Sequence, residues 1–149
     1  MTLRIYIDSC ALNRLTDPAS QPRIQQEKFA VASIFQFIQS GKVSWIASSI
    51  LETEIRRNPN INSREAALDR LDFAAELKQP DPSATLRASL LHAAGYGIFD
   101  ALHLAIAEAS NVDWFITTDD RFLRKIQRSI GNPTIPAANP LDWVQQVKP

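Results

Sequence analysis

Three short apolar runs, at residues 3–7, 43–47 and 114–117, limit the fold of this chain more than any other feature. Each is rich in β-branched or aromatic residues, and each is followed by a stretch of helical character. Continuous apolar runs of this length read as strands buried on both faces. Short strands that alternate with helices imply an α/β sandwich on a mainly parallel sheet. In such sheets, sites form beyond the carboxyl ends of the strands.

The intervening segments fit this scheme. A short helix follows the first strand to Leu15, and Asp17-Pro18 breaks it. Over 23–39, Ile24, Phe29, Val31, Ile34, Phe35 and Ile38 keep helical spacing, and Gly41 ends that helix. Ser48 or Ser49 caps a helix running to about Arg57. A long helix is expected over 63–78, with Ala67, Leu68, Leu71, Ala74, Ala75 and Leu77 as its apolar stripe. Helices are expected again over 85–94, 100–109 and 120–129. A last strand is expected at 134–136, and Asn139-Pro140 opens a terminal helix.

At 149 residues the chain has the usual length of one domain, and the reading is a single domain over 1–149. Sixteen basic and sixteen acidic residues cancel. That balance argues against sequence-independent binding to long nucleic acid, but not against an enzyme that grips a few phosphates through a metal. The single cysteine, Cys10, leaves no internal disulfide and suits a reducing cytosol. With neither a signal peptide nor a run of about 18 apolar residues, the expectation is a cytoplasmic protein without a membrane partner.

Four acids then stand out by position. Asp8 ends the first strand and Asp119 lies just past the third run. Asp100 opens an apolar helix, and Glu54 lies in the helix leaving the second strand. On that helix Ile50, Leu51 and Ile55 define an apolar face. At about 100° per residue Glu54 falls within the face and Glu52 outside it. Four carboxylates gathered at one sheet edge would repel one another unless protonated or neutralised by a cation. Hard oxygen donors suit Mg²⁺ or Mn²⁺.

The stretches Tyr6-Ile7-Asp8-Ser9, 48–55 (SSILETEI), Asp100-Ala101-Leu102-His103-Leu104-Ala105 and Ile116-Thr117-Thr118-Asp119 resemble the successive motifs of the PIN-domain family. Their order and spacing are similar to those of VapC-type toxins, and Asn139-Pro140-Leu141-Asp142-Trp143 resembles the family's closing segment. Cys10 departs from the pattern, standing where a small polar residue is common, and residues 58–82 match nothing in it. The resemblance implies a three-layer α/β/α fold and a metal-dependent endoribonuclease. It implies Asp8, Glu54, Asp100 and Asp119 as catalytic, Mg²⁺- or Mn²⁺-binding acids, with Thr117 and Ser9 as nearby polar contacts. It also implies an RNA substrate, a small antitoxin partner and a homodimer.

Each residue has a plainer alternative. Asp8 and Asp100 are placed to cap helices, and Asp119 and Asp120 open one, where acids favour the dipole. Glu52 and Asp120 read as solvated acids rather than ligands. His103 reads as a packing residue of its apolar helix, His92 likewise, and Cys10 as a small buried residue. Arg121, Lys125 and Arg128 share one helical face; Arg121 and Lys125, together with Arg56 and Arg57 after Glu54, are the candidates for RNA phosphate. At the level of function, the alternative is a catalytically silent PIN-like module that binds RNA or protein. A phosphatase would need a second Asp two residues after Asp8, where Cys10 stands. A receiver domain has its acid pair near the first strand, whereas Asp119-Asp120 comes late.

Overall fold

The computed structural model describes residues 2–149. Five parallel strands form one sheet in the order β3-β2-β1-β4-β5. These are β1 (Leu3–Ile7), β2 (Val43–Ser48), β3 (Glu76–Lys78), β4 (Trp114–Ile116) and β5 (Ala137–Ala138). The helices are α1 (Ser9–Asn13), α2 (Pro22–Gln39), α3 (Ser49–Arg56), α4 (Ile61–Arg70), α5 (Pro82–Ala94), α6 (Ile98–Ala109), α7 (Asp120–Gln127) and α8 (Pro140–Val147).

The two-residue period of the central strands divides the core into two layers. Ile5, Ile7, Val43, Trp45, Ala47 and Ile116 pack on one face, against α2 and Trp143 of α8. Tyr6, Ile46 and Phe115 pack on the other, against Leu91 of α5, Leu104 of α6 and Phe122 of α7. The result is the α/β/α sandwich expected from the sequence. No helix among the described residues is long and apolar enough to cross a membrane.

The chain builds outward from β1 to β2 and β3, then returns to place β4 on the opposite side of β1. That reversal opens a crevice between the carboxyl ends of β1 and β4, where α/β sheets bind ligands. Ile7 pairs with Ile116, and the Asp8 N–H donates to the Ile116 carbonyl at 3.2 Å. Asp8 and Thr117 therefore leave the sheet side by side.

Three sequence expectations are corrected. The helix expected over 63–78 is α4, capped by Asn60 accepting from the Ser63 N–H at 3.0 Å, then a 3₁₀ turn at Leu71–Phe73 and strand β3. Residues 75–78 have helical propensity, but their backbone takes up the open edge of β2 instead. The Ala75 N–H donates to the Trp45 carbonyl at 2.8 Å, and Leu77 is left 44% exposed. The last strand lies at Ala137–Ala138 rather than 134–136, because the Pro136 and Ala138 carbonyls accept from Phe115 and Thr117. Phe29, placed on the apolar stripe of α2, is 64% exposed, while Glu27 of the same helix is 1% exposed. Burying that carboxylate requires partners. Arg14 supplies one at 2.8 Å, Arg23 another at 3.3 Å, and the amide of Asn139 a third.

Candidate active site

Asp8 follows β1 and caps α1, its Oδ1 accepting the Ala11 N–H at 3.0 Å. Asp119 follows β4 and caps α7, its Oδ1 accepting the N–H groups of Arg121 at 3.0 Å and Phe122 at 3.2 Å. The capping alternative thus holds for both. It occupies Oδ1 of each; the Asp8 carboxyl also takes the Thr117 hydroxyl, whereas Asp119 Oδ2 accepts no hydrogen bond among the described residues. For Asp100 it does not hold: Gly97 is the N-cap of α6, Asp100 stands in the first turn, and its carboxylate accepts no hydrogen bond among the described residues.

These acids sense one another. Asp8 is buried, and desolvation raises its carboxyl to about 7; the Asp100 charge adds to this, while the Thr117 hydroxyl, the Ala11 N–H and His103 oppose it. Asp100 is raised to about 6, first by desolvation, then by Asp119, with Glu54 adding and His103 and Lys125 opposing. The Cys10 thiol is also pushed up. Desolvation of the sulfur acts first, then the charges of Asp8, Asp119, Asp100 and Glu54. The residue is nevertheless exposed as a whole, so it borders the acids rather than lying in the core.

Glu54, on α3, is held by a directional chain of hydrogen bonds. A carboxylate can only accept, so Nε2 of His103 donates to Glu54 Oε1. Nδ1 then accepts the Tyr6 hydroxyl, whose ionisation burial strongly disfavours. Tyr6 in turn accepts from Ser48 at 2.6 Å, and Ser48 accepts the Leu51 N–H at 3.1 Å as the cap of α3. Ser9 adds a 3.2 Å bond to the same Glu54 oxygen. His103 is 1% exposed, as its place on an apolar helix led us to expect, but both ring nitrogens are committed to this chain. Its register one turn after Asp100 was the available signal that it borders the acids.

The remaining candidates separate clearly. Thr117 is buried, and its Oγ1 accepts the Asp119 N–H at 3.1 Å. Glu52 lies away from this chain, paired with exposed Arg56 at 3.0 Å. Asp120 takes both Arg23 nitrogens at 2.7 Å, and this pairing holds its carboxyl below the usual range. Both partners are about half exposed, so the pair contributes at most about 1 kcal/mol. Asp120→Asn should therefore lower stability by less than about 1 kcal/mol in urea melts. It should leave any nuclease activity within about twofold. Arg121 is exposed, and Lys125 donates to the Gly95 carbonyl at 2.7 Å.

Among the described residues, no three of His, Cys, Asp and Glu already form a metal-ligating group. The donor chemistry nevertheless fits a hard divalent cation. Two carboxyls are raised by burial and by acidic neighbours, and Asp119 Oδ2 and both Asp100 oxygens accept no hydrogen bond among the described residues. Mg²⁺ usually keeps several waters and takes only one or two carboxylates, so a preformed cage is not required.

The family model of the PIN domain matches residues 5–127, a span that includes all four acids. The chain belongs to the PIN-domain family. Its fold is similar to that of VapBC2 from Rickettsia felis, solved bound to a DNA fragment from their promoter. The TM-score is 0.60 at 13% identity, covering 92% of this chain and 98% of that one. It is also similar to Mycobacterium tuberculosis VapC20, a toxin that cleaves the sarcin–ricin loop. There the TM-score is 0.56 at 13% identity, covering 79% and 92%. No curated protein sequence gives a significant match to this PIN domain.

Proposed function

We propose that this PIN-domain protein is a divalent-metal-dependent endoribonuclease and the toxin of a type II toxin–antitoxin pair. The observation that carries the reading is the raising of the Asp8 and Asp100 carboxyls beside the β1–β4 crevice, by burial first and then by the charges of Asp100 on Asp8 and of Asp119 and Glu54 on Asp100. The likeness of fold to VapBC2 and VapC20 supports the toxin part.

In this proposal Asp8, Glu54, Asp100 and Asp119 hold Mg²⁺ or Mn²⁺. When bound, the cation acidifies a water ligand and stabilises charge at the scissile phosphate. The protein supplies the orientation. Caps fix Asp8 and Asp119 through one oxygen each, Thr117 ties the Asp119 backbone beside Asp8, and His103 with Ser9 fixes Glu54. Asp100, with neither oxygen tied to the protein, is the carboxylate available to accept a proton from the attacking water. Arg121 and Lys125, on the helix that Asp119 caps, meet the phosphates of the RNA. The partners are a small antitoxin whose tail fills the groove over the acids and a second copy of the chain, in the cytoplasm.

The test is cleavage of labelled RNA by purified protein. Turnover with Mn²⁺ should disappear on adding EDTA and return with excess Mn²⁺. RNA binding without turnover under either Mg²⁺ or Mn²⁺ would instead favour the catalytically silent PIN-like module.

A further inference from the structure

Beside Glu54 opens a cleft of ≈ 360 Å³ whose wall includes Ser9, Asn13, Arg57, Asn58 and Phe99. Its volume falls at the lower end of the range typical of small-ligand sites, about 300–1,000 Å³. Phe99 immediately precedes Asp100 and is only half-buried. The exposed Arg57 guanidinium, at the end of α3, lies 5.7 Å from the Phe99 ring centroid. Arg57 lies over the Phe99 ring, so the two form one flat surface, aromatic and cationic together, on the wall of the cleft. Two amides complete it. Asn58 Oδ1 is occupied by the Asn60 N–H at 3.0 Å, so that amide offers a ligand its Nδ2 donors, while Asn13 offers both a donor and an acceptor. Flat aromatic and guanidinium surfaces with polar groups at the edge are how proteins capture unstacked bases of single-stranded RNA.

We propose that this cleft binds one nucleobase of a single-stranded RNA, on the nucleotide next to the scissile phosphate. In this site the base stacks on the Phe99–Arg57 pair, and Asn13 and Asn58 read its edge. The proposal rests on the nuclease reading for its substrate class. Glu54 lines the same cleft and accepts hydrogen bonds from Ser9 and His103, so a base seated there lies within one nucleotide of the acids. The site therefore sets base preference at one position of the RNA without taking part in the bond-breaking step.

The experiment measures binding, so it does not depend on turnover. Fluorescein-labelled A7, C7 and U7 RNAs are titrated by anisotropy, in Mg²⁺, into the Asp100→Asn protein and into the same protein carrying Phe99→Leu, Phe99→Tyr, Arg57→Ala or Asn58→Ala. Phe99→Leu keeps apolar volume and should weaken Kd about tenfold for the preferred RNA, while Phe99→Tyr stays within twofold. Arg57→Ala changes an exposed side chain that the fold does not need, and should weaken Kd about fivefold. Asn58→Ala should narrow the spread of Kd among the three RNAs. The proposal is overturned if Phe99→Leu and Arg57→Ala both bind like the parent, or if the parent binds none of the three. Phe99-dependent binding by a protein that never cleaves RNA would retain the base site and remove the nuclease reading instead.

Discussion

Replacing Asp100 with asparagine should reduce RNA cleavage by the Mn²⁺-loaded protein about 10³-fold or more while leaving the fold intact. A 10³-fold loss is about 4 kcal/mol of barrier, the scale expected when a group acting directly on the reacting atoms is removed. The structural side of the prediction comes from what Asp100 lacks. Its carboxylate caps no helix and accepts no hydrogen bond among the described residues, so the isosteric amide breaks nothing. The substitution also removes a charge whose ionised form is disfavoured by burial and by Asp119 and Glu54. The thermal midpoint should therefore stay the same or rise. Wild-type cleavage unchanged by Asp100→Asn, at matched folding by circular dichroism, would sink the assignment of this acid to catalysis.

The second large effect is on stability in chelator. Asp8 and Asp100 ionise near 3.8 in the unfolded chain but at about 7 and about 6 in the fold. The folded state holds these protons more tightly. Stability contributed by the protonated groups is complete below about pH 4 and is lost as pH rises through 6 and 7. For Asp8, which is buried, the shift corresponds to roughly 2–4 kcal/mol; the contribution of Asp100 is smaller because solvent reaches it. At about 2–4 °C per kcal/mol, the metal-free protein should melt about 5–10 °C lower at pH 8 than at pH 5. Asparagine is as good an N-cap as aspartate, so Asp8→Asn should keep the bond to the Ala11 N–H and remove most of this pH dependence. Calorimetry in EDTA at the two pH values decides the matter. A wild-type midpoint equal or higher at pH 8, or one that Asp8→Asn follows in parallel, would show that Asp8 is not held protonated by the fold.

The sheet was legible in the sequence because its three inner strands are largely buried on both faces and so are mostly apolar. The outer two were not. β3 replaced the tail of the expected 63–78 helix, and β5 was placed one strand-length early, because edge strands of two or three residues carry no periodicity. The register of Asp8 and Asp119 followed from strand ends, and the choice of Glu54 over Glu52 from helical angle. In the fold His103 bonds Glu54, and Arg56 pairs with Glu52. The register of His103 beside Asp100 hinted at its place, but not its bonds to Glu54 and Tyr6, which lie 49 and 97 residues away in the chain. Glu27 was overlooked for the same reason. Arg23 pairs with it one turn away on α2, but Arg14 and the Asn139 amide reach it from outside that helix.

The shortness of the sheet margins has a further consequence. β3 and β5 present ladders of only three and two residues, and Glu76 on β3 is pinned by Arg4 at 2.9 Å. An incoming extended peptide finds almost nothing to zip onto at either border, which protects the protein against runaway strand addition. Recognition by other macromolecules is thereby confined to the helical shell and the crevice it frames.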